Sequence, residues 1–475
     1  MDWLPEGHLA YFILDVVGQL DLSTIESKIQ AKDARGTRPY SPSMMVALLI
    51  YGYSMGVRSS RKIERATHED VAFRVLAGGD HPDHTRISEF RRAHLKAFKE
   101  LFRQALRMCQ KAGLVKLGRV AIDGTKVQAN ASKHKAMSYE RMQQLEARLE
   151  KEIDELLAQA EQVDADEDAR FGPGQREEDL PEELQRRQTR LERLRQAKAE
   201  LEAEARQSRA AVLREQARRA RESVQGAESG PMRKFHQTRA QRLTKQAKQL
   251  DGSDGDDGSP PSGSGELPGH RVRTRRDGTP HPKAQRNFTD PDSRIMESAG
   301  TFLQAYNCQA AVAGSGQIIV AEDLTNQAPD NGNLDPMIEQ VEANCGAVPD
   351  KASADAGYWR RDVAAACTQL GTEVYVATER RRHWDRDDTL TEGEPPEGVD
   401  AREAMRWKLR TEEGRQIYAE RKSIVEPVFG QIKEVRGFRR FLLRGLEKAG
   451  GEWSLMCATH NLLKLFRSRG AVAAA

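Results

Sequence analysis

Three acidic residues stand where the sequence could support metal-dependent chemistry. Asp123 and Asp355 each end a short apolar run, Val-Ala-Ile-Asp and Lys-Ala-Ser-Ala-Asp, and such runs are typical of buried strands. Glu426 lies in a helix-like stretch that continues to Lys433, two helical turns further on. Two strand-borne aspartates and one helix-borne glutamate can hold a pair of Mg²⁺ or Mn²⁺ ions, which prefer such hard oxygen ligands. Two ions about 4 Å apart promote in-line displacement at phosphorus.

Basic residues surround Glu426. Between residues 415 and 469 the chain has 12 Lys or Arg and 5 Asp or Glu, a local charge of +7, whereas the whole chain has a formal net charge of +3. Such a patch attracts phosphate groups, so it favours a nucleic-acid substrate. The alternative is a solvated surface helix.

Only a fold can bring these acids together, because Asp123 and Asp355 lie 232 positions apart and Glu426 follows 71 positions later. An Asp-Gly pair is also typical of a hairpin turn. Residues 118–130 therefore predict a strand, a turn and a second strand, and the alternative for Asp123 is a plain turn residue.

The elements that would position the acids begin with helices over residues 1–115. Ser41 and Pro42 form a helix-start signal before an apolar run, and apolar residues recur at helical spacing between Ile87 and Leu106. We interpret this unit as a helix-turn-helix-like DNA reader; a packing or dimerisation domain is the alternative. Its basic residues are Arg58, Arg61, Lys62, Arg65, Arg86, Arg91 and Arg92.

Residues 138–225 have a different composition, rich in Glu, Arg, Gln and Ala. Leucines and other apolar residues recur every three or four positions on both sides of Phe171-Gly-Pro-Gly, which breaks a helix. The pattern predicts an antiparallel, coiled-coil-like helical hairpin that spaces or dimerises the protein, or braces DNA. In residues 251–269, Gly, Ser, Pro and Asp make up 17 of 19 positions, which predicts a flexible linker.

Strands and helices alternate after about residue 287. This alternation predicts a mixed sheet with flanking helices. The predicted strands are 303–313, 317–324, 351–355 and 373–378, and the predicted helices are 332–345 and 359–370.

Composition sets outer limits. The 475 residues are enough for two to four domains, and a charged fraction of 31% implies much solvated helix or linker. Five scattered cysteines without C-x-x-C spacing fit a reducing compartment and give no zinc or redox motif. No secretory signal and no run of 18 apolar residues is found, so the expectation is a cytoplasmic protein without a membrane partner.

These motifs together resemble the DDE class of insertion-sequence transposases, over roughly residues 1–135 and 285–470. The most specific part is Val-Glu426-Pro-Val-Phe-Gly-Gln-Ile-Lys433, which is followed by Gly437-Phe, Arg444-Gly and Asn461-Leu-Leu. The segment from Tyr40 to about Phe102 is similar to the helical N-terminal domain of the same proteins.

The resemblance implies an α/β fold: an RNase H-like mixed sheet flanked by helices, with an all-α N-terminal domain and an inserted antiparallel helical hairpin. The expected divisions are a helical DNA-binding or dimerisation domain (1–115), a first catalytic part (116–136), the hairpin (137–250), a linker (251–286) and the remaining catalytic part (287–470) with a charged insertion (379–412).

The resemblance also implies roles for residues. Asp123, Asp355 and Glu426 would be catalytic and hold two Mg²⁺ ions, for which Mn²⁺ can substitute. The family motif has a Tyr, an Arg, the Glu and a Lys separated by two, three and six residues. Lys433 fits, whereas Arg421 is one residue too far from Glu426, and Lys422 restores that spacing but loses the spacing to Tyr418. Tyr418, Arg421, Lys422 and Lys433 are predicted DNA contacts.

Trp384 lies in the charged insertion, which in related transposases reaches over the active site. Flanking arginines would let it stack on an extruded base, although a tryptophan more often simply packs.

The implied function is a transposase that binds terminal inverted repeats, cleaves DNA there and joins the ends to target DNA. Assembly of two protomers on paired ends in the bacterial cytosol is expected. The alternatives are a non-catalytic DNA-binding protein derived from such an enzyme and an RNase H-like nuclease. A structural coiled-coil protein would explain only residues 138–225.

Overall fold

The computed structural model describes residues 3–30, 39–171, 182–227, 229–252, 266–379 and 389–473. The chain divides into two compact units. The first comprises Met1–Ala131, Pro260–Gly269 and Asp292–Ala475, and the second comprises Ser132–Ser259 and His270–Pro291. None of the helices in the described ranges has the length and apolar character that a membrane crossing requires.

Helices dominate both units. They are α1 (Leu9–Gln19), α2 (Ser23–Gln30), α3 (Pro42–Ser54), α4 (Ser60–Glu69), α5 (Val71–Ala77), α6 (His84–Ala93), α7 (Leu95–Lys111), α8 (Tyr139–Phe171), α9 (Glu182–Gln225), α10 (Gly230–Asp251), α11 (Leu334–Cys345), α12 (Val363–Gln369), α13 (Ala401–Arg410), α14 (Glu412–Gly430) and α15 (Leu446–Ala473).

The strands are β1 (Arg119–Gln128), β2 (Ala136–Ser138), β3 (Gln285–Asn287), β4 (Arg294–Ser298), β5 (Thr301–Ala313), β6 (Ile319–Thr325), β7 (Lys351–Ala354) and β8 (Glu373–Val376). The main sheet has the order β4-β5-β1-β7-β8, and β6 also pairs with β5. β5 is antiparallel to β1, β4 and β6, whereas β7 is parallel to β1 and to β8. The sheet is therefore mixed and flanked by helices, as predicted.

The N-terminal helices form where their ends are capped and one face is apolar. The Asp83 carboxylate accepts the first free N–H groups of α6, from Thr85 and Arg86, at 2.9 and 3.1 Å. Helix α3 is buried along most of its length. Helix α15 packs against α3, α7 and β6, so it ties the N-terminal helices to the sheet.

The predicted turn at Asp123-Gly124 is wrong. β1 is one continuous strand of 10 residues that pairs with β5 from Val120↔Ala313 to Gln128↔Ala305. The physical reason lies in remote side chains: a Cβ on Gly124 would lie 2.7 Å from Asp330 Oδ1. Glycine at this position gives room to polar side chains beside the strand and does not make a turn.

The described part of the second unit contains three long helices, whereas the sequence predicted a two-helix hairpin. α8 packs on α9 through a cluster that includes Met142, Leu149, Leu194 and Leu201. α10 packs on the later part of α9 through a small apolar cluster that includes Leu213 and Ala217 of α9 and Leu243 of α10. The buried positions of α10 are only Ala240, Leu243 and Ala247, too few to give a clear apolar period in a polar stretch.

Glu322 on β6 is a carboxyl group that the fold buries. It is 3% exposed and accepts a hydrogen bond from Ser454 Oγ at 2.7 Å. Burial, with a smaller contribution from Asp323, raises the pKa of Glu322 from 4.5 to about 8. The folded protein therefore keeps this proton at neutral pH, where the unfolded chain releases it.

We predict that Glu322 makes stability decrease with rising pH. Its raised pKa favours the folded state at pH values below 4.5, and this contribution is lost as pH rises towards 8, with a limiting slope of about 1.4 kcal/mol per pH unit. Glu322→Gln should remove this slope. The melting temperature of the variant should therefore rise relative to that of the wild type as the pH increases from 6 to 8. Thermal unfolding at several pH values measures it, with exposed Glu297→Gln on β4 as control; parallel curves for wild type and Glu322→Gln would contradict the prediction.

Candidate active site

The parallel pairing of β1 with β7 brings the two aspartates together. The register runs Arg119↔Lys351 to Ala121↔Ser353, and two further residues along each strand bring Asp123 level with Asp355. Asp355 follows the end of β7, where its carboxylate accepts the N–H of Gly357 at 2.8 Å. Asp123 remains within β1, because β5 continues to pair on its other side. The two acids therefore lie near enough for the charge of Asp355 to act on Asp123.

Asp123 is mostly buried and forms an ion pair. Arg421 of α14 donates from Nη1 to Asp123 Oδ2 at 3.0 Å, and the N–H of Gly124 donates to Oδ1 at 2.8 Å. Burial raises the pKa of Asp123 to about 6; Arg421 opposes this rise, and the negative charge of Asp355 adds to it. Both oxygens of Asp123 thus already accept hydrogen bonds.

Arg421 is placed differently from the predicted phosphate contact. The residue is only 7% exposed, and its guanidinium lies against Asp123 and near the ring of Tyr418. In this arrangement it compensates buried negative charge and is not presented to a ligand. Tyr418 is half-buried, and Lys422 is exposed.

Glu426 lies between two residues, Arg421 and Lys433, whose side chains connect this helical segment to β1. Arg421 donates to Asp123 of β1. Lys433 donates to Thr125 Oγ1 at 3.0 Å and to the carbonyl of Lys126 at 3.3 Å, both also on β1. The side chain of Glu426 itself is exposed. Lys433 is thus engaged with β1, whereas the sequence predicted a DNA contact.

The donor chemistry of the aspartate pair fits a hard divalent cation. In the part of the chain that the structure describes, however, no three His, Cys, Asp or Glu side chains form a group that could hold a metal ion. Asp123 and Asp355 therefore fit such an ion as a pair. The contribution of Glu426 requires its exposed side chain to turn towards them.

Asp330 is a residue of the site that the sequence reasoning missed. It follows β6 and accepts hydrogen bonds at Oδ1 from Asn307 at 2.7 Å, from Gln309 at 2.9 Å and from Lys126 at 3.2 Å. Asn307 and Gln309 are fully buried. The only signal for Asp330 in the sequence is its position in a polar loop directly after a buried strand.

The Asp330 network reaches the aspartate pair. A Cβ on Gly357 would lie 2.9 Å from Asp355 Oδ1 and 3.1 Å from Asp330 Oδ2, so both carboxylates approach the same stretch of backbone. Gln309 also accepts a hydrogen bond from the buried hydroxyl of Tyr358. The network therefore fixes the backbone on both sides of the pair.

Asp330→Asn should lower the free energy of unfolding by about 1–3 kcal/mol, because largely buried Lys126 loses its carboxylate partner. Urea unfolding measures this difference. The double variant Lys126→Met/Asp330→Asn should recover part of the loss, since it removes the unpaired charge as well. Equal stability of Asp330→Asn and wild type would show that this network does not hold the site.

The three arginines predicted to contact DNA from α6 have different surroundings. Arg86 and Arg92 are exposed, and Arg86 pairs with Glu89 at 3.4 Å. Arg91 is 4% exposed and donates to the hydroxyl of Tyr53 and to the carbonyl of Arg58. Its prediction as a DNA contact is inconsistent with this burial, because a helix presents only some of its successive residues to solvent.

Trp384, the residue predicted to stack on a base, lies outside the described residues. Of the charged insertion around it, the structure describes residue 379 and residues 389–412, which include α13 and its Asp400 cap. Trp407 on α13 donates from Nε1 to the carbonyl of Gly393 at 3.2 Å.

Comparison with known families matches both ends of the chain. Residues 1–93 match a transposase domain (DUF772), and residues 389–466 match a transposase DDE domain. No curated protein and no solved structure gives a match. The second match contains Glu426 and Lys433, and the first contains the helices α1 to α6. Both matches are to transposase domains, and together they are consistent with a DDE insertion-sequence transposase.

Proposed function

We propose that the protein cleaves DNA at the ends of its insertion sequence and transfers the strands to target DNA, in a reaction that needs Mg²⁺ or Mn²⁺. The observation that supports the proposal is the neighbouring position of Asp123 on β1 and Asp355 just after β7, since these two strands pair in parallel. The helix across them belongs to the matched DDE domain and carries Glu426.

An RNase H-like fold is part of the proposal. The resemblance implies the order strand with Asp, hairpin, helix, strand with Asp, helix, strand, and then helix with Glu. The chain has β1, the β5–β6 hairpin, α11, β7, α12, β8 and α14 in that order. This agreement supports the assignment, and the second unit then lies in sequence between the first strand and its hairpin.

Asp123 and Asp355 would hold the metal, with Glu426 as the third ligand. Bound divalent ions supply Lewis-acid stabilisation of the charge that develops at phosphorus. The chain itself positions the carboxylates: β1 and β7 set their register, and Lys433 fixes α14 on β1. Arg421 compensates the charge of Asp123 by donating a hydrogen bond to its Oδ2. Its guanidinium would have to move away for Oδ2 to bind a cation.

Exposed basic residues are the proposed DNA contacts. Lys422 lies beside the site on α14, and Arg86 and Arg92 lie on α6 of the matched N-terminal domain. Phosphate contacts of this type orient the duplex and do not read its sequence. The proposed ligands are the terminal inverted repeats and the target DNA, bound by a dimer that assembles on paired ends.

A second function has two observations in its favour. Glu426 is exposed, and both oxygens of Asp123 are already occupied by internal donors, as expected for a protein that binds DNA without cutting it. A non-catalytic DNA-binding protein is therefore the alternative proposal. The match to a transposase domain at residues 1–93 favours either of these over a general RNase H-like nuclease.

The decisive experiment uses purified protein, Mg²⁺ and DNA fragments that carry the ends flanking its own gene. Wild-type cleavage at those ends, lost on chelation with EDTA, is the expected result. End binding without cleavage would favour the non-catalytic alternative. Absence of both binding and cleavage would overturn both proposals.

A further inference from the structure

The second unit contains a groove that neither family match includes. Its volume is about 770 Å³, and it lies where the first part of α9 faces α8 and the β2–β3 ribbon. Met137, Leu145 and Leu194 supply apolar lining, together with the ring of Phe288, which is 38% exposed. A partly exposed aromatic ring in an apolar groove provides a flat surface for another ring.

One wall of the groove is basic. Arg186, Arg190 and Arg193 line it at intervals of four and three residues, so they lie on one face of α9. Lys135 adds a further cation from the segment before β2. This face extends over about 10 Å of helix, at 1.5 Å per residue.

Many neighbouring arginines of this unit form ion pairs, but two arginines of the groove do not. Arg195 pairs with Glu146 and Glu150, and Arg286 pairs with Glu200 and Glu204. Within the described ranges, Arg190 and Arg193 make no ion pair at 4.0 Å or less, and both are exposed. Glu152 attracts Arg190 from a longer distance. Exposed arginines without an ion pair, lying beside an apolar groove, give the groove a positive potential that attracts an anion.

We propose that this groove binds a DNA strand, with phosphates on Arg190 and Arg193 and an unpaired base against Phe288. Arginine suits phosphate because its planar guanidinium donates two parallel hydrogen bonds. Aromatic stacking suits any base, since every base has a π-face. The inference rests on the proposed function for the identity of the polyanion, and it assigns the second unit a direct role in holding DNA.

The test measures binding of labelled DNA to the full chain by fluorescence anisotropy at several salt concentrations. The probes are a duplex that carries one element end and a single-stranded oligonucleotide of the same sequence. Arg190→Ala/Arg193→Ala should weaken binding of both probes by roughly tenfold, and should reduce the salt slope for the duplex by about 1.8, or 0.9 per lost phosphate contact.

The matched control is Arg218→Ala/Arg219→Ala, which removes the same charge from the same helix. Those arginines are exposed and already paired with Glu215, so binding should stay within about twofold of wild type. Phe288→Leu keeps an apolar side chain but removes the ring, so it should weaken the single strand by roughly tenfold and leave the duplex unchanged.

Each outcome of the binding experiment supports or overturns the proposed DNA-binding groove. Wild-type binding that Arg190→Ala/Arg193→Ala leaves unchanged would overturn the groove and leave the proposed cleavage activity intact. Equal losses in that variant and in the control would also overturn it, because charge alone would explain them. If the wild type bound neither probe, the proposed function would fail together with the groove.

Discussion

Asp123→Asn and Asp355→Asn are each expected to reduce Mg²⁺-dependent cleavage of end-bearing DNA by about 10³-fold or more, while end binding persists. Each substitution removes a negative oxygen donor where the proposed cation lies, and metal stabilisation of phosphoryl transfer is worth several kcal/mol. A loss of about 4 kcal/mol corresponds to that factor in rate. The measurement is single-turnover cleavage of labelled end fragments, with binding followed in parallel.

Suitable controls lie on the same elements. Asp350→Asn changes an exposed carboxylate just before the first residue of β7. Glu420→Gln changes a partly exposed carboxylate of α14 that pairs with Arg119. Both should cleave at nearly the wild-type rate. Full activity in Asp123→Asn or Asp355→Asn would exclude the aspartate pair as the reaction centre.

Glu426→Gln separates the two proposed functions further. Loss of cleavage in this variant would mean that its exposed side chain turns towards the aspartates in the DNA complex. If cleavage is lost with Asp123→Asn and retained with Glu426→Gln, Glu426 is not a metal ligand in the reaction.

Arg91→Ala is expected to destabilise the protein by about 3 kcal/mol or more, whereas Arg92→Ala should change stability by less than about 0.5 kcal/mol. Arg91 donates to the Tyr53 hydroxyl at 3.1 Å, and that hydroxyl donates to the buried carboxylate of Glu452 at 3.2 Å. Glu452 also accepts the N–H groups of Leu442 and Leu443. Without Arg91, this chain of hydrogen bonds loses its arginine donor, and of the two nearby arginines only Arg58 remains.

Urea unfolding of the two variants provides the comparison, because the substitutions are adjacent and chemically identical. DNA binding should separate them in the opposite sense: Arg92→Ala should weaken binding without loss of fold. Wild-type stability in Arg91→Ala would contradict the structural role that burial assigns to this arginine.

Most strands of the main sheet could be predicted from the sequence, but the pairing of one strand with another could not. Apolar runs predicted the strands β5, β6, β7 and β8, because buried strands have a strong local pattern. The Asp123-Gly124 pair gave a wrong prediction, because β1 continues straight by pairing with β5, whose partner residues Ala310 and Gln309 lie more than 180 positions away. No local pattern contains information on such a partner.

The site residues show the same limit. Spacing indicated that Glu426 and Lys433 share a helical face, yet tertiary packing directs Lys433 to Thr125 and leaves Glu426 exposed. Arg91 and Arg92 are identical in type, and only the helix orientation buries one of them. Asp330 lies in a loop without a motif, and its role arises entirely from side chains of other elements.

The long separation between β1 and β5 has a consequence for biosynthesis. The residues between Gln128 and Ala305 must be made before the two strands can pair, which takes about 10–35 s at usual rates of translation. During that interval the backbone groups of β1 lack their partner, and an unpaired strand edge is a template for wrong association. The intervening helices form within microseconds of leaving the ribosome. Closure of the central sheet is therefore expected to be the late step of folding, and slower translation would lengthen the period in which β1 needs chaperone protection.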